Sequence, residues 1–110
     1  MHEMIPQIHQ QAEAAAQAAA SKFFTEKLGG QDQFACGFAW VTVHNVRSNS
    51  KVGKALQAVG FRRAYGGGLQ LWNPSKFGCQ NVDTLEHGAM AYATVLKQHG
   101  IEAYAGSRLD

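Results

Sequence analysis

The side chains in this chain that could carry covalent or metal chemistry are two cysteines and five histidines. A nucleophilic cysteine needs a base within hydrogen-bond reach, and spacing leaves two pairings to weigh. Cys36 and His44 fall on one face of a strand read over Phe34 to His44, but their separation along it, about 27 Å, excludes a dyad. Cys79 with His87 stays geometrically open. Zinc sites need close ligand pairs such as Cys-x₂-Cys or His-x₃-His. His2, His9, His44, His87 and His99 provide none, and only His2 and His9 share a helix face. Two cysteines also make no disulfide framework. Asp83 and Glu86 are better explained as helix-start residues than as an acid and a base. Gly66-Gly67-Gly68 lacks the spacing and the following Lys-Ser or Lys-Thr of a phosphate loop, and it precedes a strand, so it reads as a hairpin turn. The sequence therefore assigns no catalytic residue, no metal and no cofactor.

Recognition by stacking is the other chemistry the residues could do. If Leu69, Leu71, Ile101 and Ala103 point towards helices, the alternation of strands turns Gln70, Trp72, Glu102 and Tyr104 the other way. The small residues of Phe34–His44 could accept the same helices, which would put Phe38 and Trp40 outward beside Trp72 and Tyr104. Flanked by Arg62 and Arg63, such a face could stack bases as sheet-based RNA binders do. The plainer reading is that these rings are core beneath an N-terminal helix or a second copy. The RNA-recognition-module signature is absent; Cys36-Gly37-Phe38-Ala39-Trp40-Val41 shares only its aromatic alternation. A net charge of +2, with Arg62-Arg63 the one adjacent basic pair, is too small a bias to name nucleic acid as the partner.

The elements that must position these residues are readable. At 110 residues and 45% hydrophobic, the chain suits one domain with a real core. No apolar run approaches the length that crosses a bilayer, and the first residues lack a secretory leader pattern; a cytoplasmic protein is the expectation. Ile5 to Leu28 predicts a helix, with Pro6 at its start and seven alanines between Ala12 and Ala20. Ile5, Ile8, Ala12, Ala15, Ala19 and Phe23 form its stripe, and Gly29-Gly30 stops it as a joint. Residues 1–30 thus read as a helix and joint, and 31–110 as an α+β unit. Lys51 to Val59 predicts a short helix capped from Ser48-Asn49-Ser50. Phe61–Tyr65 and Leu69–Trp72 predict a hairpin. Asp83-Thr84-Leu85-Glu86 resembles a capping box with Asp83 as the cap, opening a helix with Leu85, Ala89, Tyr92, Leu96 and His99 on its stripe. Ile101 to Ala105 predicts the last strand, followed by a tail that either frays or folds back through Arg108 to pin an edge. The order β-α-β-β-α-β predicts a ferredoxin-like sheet with an added N-terminal helix. Two helices would cover one sheet face; the N-terminal helix, a second copy or a ligand would occupy the other.

The string Cys36-Gly37-Phe38-Ala39-Trp40-Val41, with Ser50-Lys51, Tyr65-Gly66-Gly67, Gln80, the alanine-rich helix running into Gly100, and Ser107-Arg108-Leu109-Asp110, resembles a group of small uncharacterised proteins of tailed bacteriophages. The likeness covers residues 35–110 and leaves the first helix and Ser75–Cys79 unmatched. It implies an origin and no mechanism. The expectation is a non-enzymatic phage accessory or virion-associated protein, in the host cytoplasm or the virion. It would act through protein–protein contacts with itself and with a host or phage protein. A nucleic-acid or nucleotide binder on the aromatic face is the alternative, and a small enzyme the last reading. Phe38, Trp40, Arg62, Arg63, Tyr65, Trp72, Tyr104 and Arg108 are the candidate binding residues.

Overall fold

A computed structural model describes all 110 residues. After a single 3₁₀ turn at His2–Met4, the elements are α1 (Ile5–Leu28), β1 (Gly37–Val43), α2 (Lys51–Ala58), β2 (Arg62–Arg63), β3 (Leu69–Trp72), α3 (Val82–Gln98) and β4 (Ala103–Leu109). The four strands make one sheet in the order β2-β3-β1-β4, with every neighbouring pair antiparallel. The connection through α2 carries the chain from β1 past β3 to β2, and the connection through α3 carries it from β3 past β1 to β4.

Alternation along β1 decides which face the helices take. Ala39, Val41 and Val43 are all but inaccessible and join the core with Leu69, Ala103, Leu56 of α2, and Leu85, Ala89, Tyr92, Ala93 and Leu96 of α3. Small and β-branched side chains on this face let α3 lie close over the central strand. α1 packs on α3 and α2, on the same side of the sheet, burying Ile5, Ile8, Ala12, Ala16, Ala20 and Leu28. It is therefore not the cover of the second sheet face that the sequence offered as one possibility. Its buried stripe follows the i, i+4 row Ala12, Ala16, Ala20, not the expected turn towards Ala15, Ala19 and Phe23, because α1 crosses α3 at Gly88. A Cβ on Gly88 would stand 2.8 Å from Ser75 Cβ and 3.3 Å from the Ala16 carbonyl oxygen. Alanine facing glycine is how a stripe of small residues achieves a close helix crossing. No helix is long and apolar enough to cross a membrane.

Three local expectations change. The cap of α3 is Asn81, two residues before Asp83: its Oδ1 accepts from Thr84 N at 2.8 Å, and its Nδ2 donates to the Gln33 carbonyl at 2.8 Å. Asp32 holds the same corner, accepting from the backbone N–H groups of Gln80 (2.9 Å) and Asn81 (3.1 Å). β1 starts at Gly37, since Phe34 has φ +65° and breaks the strand before it. The C-terminal residues are neither a frayed tail nor a folded-back clamp but strand. β4 runs to Leu109, pairing Phe38 with Arg108 and Gly37 with Leu109, and Asp110 N donates to the Cys36 carbonyl at 3.0 Å.

Candidate functional site

The sheet face opposite the helices is built by β1, β3 and β4, and pairing register fixes its occupants. Trp40 stands opposite Trp72 on one side and Gly106 on the other; Thr42 lies between Gln70 and Tyr104; Phe38 faces Arg108. Cross-strand partners share a face, so Phe38, Trp40, Thr42, Gln70, Trp72, Tyr104, Gly106 and Arg108 point away from the helices together.

Gly106 is what lets the indole of Trp40 lie down. A Cβ there would come within 2.6 Å of Trp40 Nε1 and 2.7 Å of its Cε2, so the ring occupies the space a side chain would have taken. Trp72 leans on it, ring centres 4.8 Å apart at 31°, and Phe38 meets Trp72 edge-on at 6.1 Å. The guanidinium of Arg108 rests 5.5 Å from the Phe38 ring centre and 6.0 Å from that of Trp72. It makes no ion pair; the pairs in the molecule are His2–Glu3, His9–Glu13 and Lys76–Glu13. Trp72 Nε1 donates to Gln70 Oε1 (3.2 Å) and Gln70 Nε2 to Thr42 Oγ1 (3.3 Å), so a polar chain fixes the ring plane. Phe38, Trp72 and Tyr104 remain 39%, 47% and 49% exposed, which is far from the fate of core aromatics. Of the plainer sequence reading, rings beneath the N-terminal helix or a second copy, the first half is thereby corrected: no element of the folded chain covers them.

Towards the other end of the face Tyr104 sits beside His44 (5.7 Å), with Lys97 Nζ 5.3 Å from its ring centre. Its hydroxyl donates to Glu102 at 3.4 Å, and Glu102 also accepts from Asn45. The remaining candidates lie elsewhere. Arg62 Nη1 donates to the carbonyls of Phe61 (3.0 Å) and Gln57 (3.4 Å), which commits it to the end of α2. Arg63 and the wholly exposed Tyr65 belong to the β2–β3 hairpin, around a shallow recess shared with Ser48 and Gly67. The structure thus joins Phe38, Trp40, Trp72 and Arg108, places Tyr104 at one margin and Arg62, paired with Gln70, at the other with its guanidinium turned to the end of α2, and separates Arg63 and Tyr65 from them.

Neither a protein-family model, nor a curated protein, nor a solved structure matches this chain. Its chemistry has to be read from its own geometry.

A titratable chain that the sequence did not single out lies between α1 and α3. Tyr92 Oη and His9 Nδ1 are 2.7 Å apart, His9 Nε2 is 3.6 Å from Glu13 Oε2, and Lys76 Nζ is 3.0 Å from the same oxygen. The carboxylate favours the ring proton on Nε2, so Nδ1 accepts from the phenol. Burial pushes the His9 pKa down, Glu13 opposes the shift and Lys76 adds to it. Burial, and secondarily Glu13, pushes the Tyr92 phenol up. The order carboxylate–imidazole–hydroxyl resembles a relay, but Tyr92 is completely buried and none of the five main recesses is lined by it, His9 or Glu13. It satisfies Tyr92 Oη and His9 Nδ1, while Glu13 Oε2 is buried without a hydrogen bond and rests on its ion pair with Lys76. The i, i+4 spacing of His9 and Glu13 on one helix was the available signal.

Neither cysteine has a histidine among its hydrogen-bond partners. Cys36 Sγ contacts Gln80 Oε1 at 3.6 Å. Burial pushes the Cys79 thiol up, which disfavours the thiolate nucleophile. His87 is occupied, stacked on Phe23 at 4.2 Å with its Nδ1 2.8 Å from the Asp83 carbonyl oxygen.

Proposed function

We propose that this chain is a non-enzymatic binding protein that works through the open aromatic face of its sheet, in the setting its sequence resemblance implies, as an accessory or virion-associated protein of a tailed bacteriophage. One observation carries the reading: Phe38, Trp40 and Trp72 form a ring cluster with an unpaired Arg108, uncovered by any element of the chain. Aromatic and arginine side chains are the residues on which binding energy concentrates, and a contiguous exposed apolar patch marks a contact surface. The strand order, with each helical connection passing over one strand, supports the split-βαβ, ferredoxin-like description of the architecture, in which one sheet face is left free.

The test replaces Phe38 and Trp72 together by Ser in the gene of origin. The expected outcome is a chain that still accumulates and melts cooperatively, a few degrees below the wild type, while the gene behaves as if deleted. A double variant with wild-type behaviour in the organism overturns the reading.

Self-association is a second reading, favoured by β4. Its outer edge is unpaired over seven residues and carries no Pro or Lys, the features that keep edges apart. Mass by light scattering tests it: a salt-independent dimer supports it, and a monomer at every concentration removes it.

A further inference from the structure

Taking the open face as the working surface, we infer that its occupant is a single-stranded nucleic acid, with bases stacked on Trp72 and Phe38 and phosphate held by Arg108. The proposal rests on the reading above and adds the class of ligand.

Charge separates this occupant from a second copy of the chain. At the ring cluster the formal charge is the cation of Arg108; Arg62, paired with Gln70, adds a second cation at the β2 margin, and the carboxylate beyond Tyr104, Glu102, is held by Tyr104 and Asn45. A second copy of the face offers Arg108 one carboxylate, Glu102, and that group is already engaged by Tyr104 and Asn45, so self-pairing leaves the arginines poorly matched. The same arginine, free of any ion pair and lying beside two ring faces, suits a ligand that alternates planar rings with negative charge. Lys97 over Tyr104 gives the far end the same combination of ring and cation.

Size points the same way. With β1 and β4 seven residues long, β3 four and β2 two, strands about 4.8 Å apart present a sheet footprint of roughly 330 Å². A stable protein interface takes about 800 Å² from each partner. Two or three stacked bases need far less, and sheet platforms take that number. From Phe38 to Thr42 the face runs about 14 Å along β1, so the Phe38–Trp72 cluster and Tyr104 can serve successive bases of one strand. The polar chain Trp72–Gln70–Thr42 holds the Trp72 plane before any ligand arrives, so little side-chain order remains to be imposed on binding.

The experiment uses the full chain with fluorescein-labelled oligothymidylate and oligouridylate, and a mixed-sequence duplex of the same length. Anisotropy is read from about 50 to 200 mM salt, with intrinsic tryptophan fluorescence recorded alongside. The expected result is binding of single strands in preference to duplex, with quenching of tryptophan emission. Trp72→Leu should weaken binding at least about fivefold, as loss of one stacked base does, while Trp72→Phe retains most of the affinity. Arg108→Gln should reduce the magnitude of the salt slope by about 0.7 for the lost phosphate contact. The two oligonucleotides tell whether the 2′-hydroxyl contributes. Absence of single-strand binding at the lowest salt overturns the inference, as does binding that Trp72→Leu leaves unchanged. Should oligonucleotides fail while the Phe38/Trp72 double Ser variant still behaves as a gene deletion, the nucleic-acid occupant is rejected and the open-face function stands with a protein partner.

Discussion

His9 uses both ring nitrogens inside the fold, one towards Tyr92 Oη at 2.7 Å and one towards Glu13. Because burial holds its pKa below the ordinary value near 6.5, the unfolded chain binds more protons than the folded one between the two values, and stability rises with pH across that window. Acidification through about pH 6.5 should therefore lower the melting temperature, and His9→Gln should remove part of the drop. Melting curves at about pH 7.5 and 5 decide it; equal drops in both proteins would show that His9 does not couple to folding. The groups facing His9 are Glu13 on α1, Lys76 in the loop after β3, and Tyr92 on α3. Tyr92→Phe leaves Nδ1 without its donor and should cost about 1–2 kcal/mol, read by denaturant unfolding. Trp40 carries the opposite lesson. A large truncation in a core costs roughly 3–5 kcal/mol, the loss that the buried reading of Trp40 implies. With its ring only partly covered, by Gly106 and Trp72, Trp40→Ala should cost about 1–3 kcal/mol, and a larger loss would mean the face is covered in solution. The sequence made the ring positions legible through strict alternation along β1. It could not show Arg108 lying beside them, because that follows from the register Phe38↔Arg108 between segments seventy residues apart.

The elements were legible wherever a local signal sets them. α1 spans Ile5–Leu28, where alanine content and Gly29 place it, and α2 begins after Ser50, whose hydroxyl accepts from Gly53 N at 3.0 Å. The misplaced boundaries are those fixed from a distance. Asn81 caps α3 in place of Asp83 because its amide also ties Gln33 and its backbone is held by Asp32, partners that no window around residue 83 contains. Asn81→Ala removes all of these side-chain bonds at a buried position and should cost about 2 kcal/mol, the upper range for a lost cap. Asp32→Ala in the same background should add less than it costs alone, since both hold one corner; full additivity in urea unfolding would contradict the shared role. β4 extends to Leu109 for a similar reason. Gly-Ser-Arg has no strand propensity to speak of, and pairing to β1 overrides it. At the α1–α3 crossing, propensity again gives the wrong sign. Gly→Ala within a helix ordinarily stabilises by nearly 1 kcal/mol, yet Gly88→Ala sets a methyl 2.8 Å from Ser75 and should destabilise by about 1–3 kcal/mol. A rise in melting temperature would show that the crossing has slack.

At the scale of the molecule, α2 and α3 lie on one face of a four-stranded sheet, α1 packs on those helices, and the aromatic side is left free. The split of labour comes from volume. The small face of β1 accommodates helices at close range, and the bulky face, with Trp40 laid over Gly106, would hold any helix too far out to bury it well. α1 consequently completes the helical layer, where Ile5 and Ile8 alone contribute about 1.5–3 kcal/mol each by burial. Two measurements on the intact chain separate this arrangement from one in which α1 wraps the sheet. Acrylamide should quench the emission of Trp40 and Trp72 readily in a protein whose mass is that of a monomer, because Trp72 is 47% exposed with α1 in place. Removal of residues 1–30 should expose the α3 surface around Ala89 and Tyr92 and abolish cooperative melting, since Ile5, Ile8, Ala12 and Ala16 share one core with those residues. Weak quenching in the intact monomer would place α1 over the rings. Cooperative unfolding of the truncated chain at an unchanged temperature would make α1 an appendage, and the core would then have to close without it.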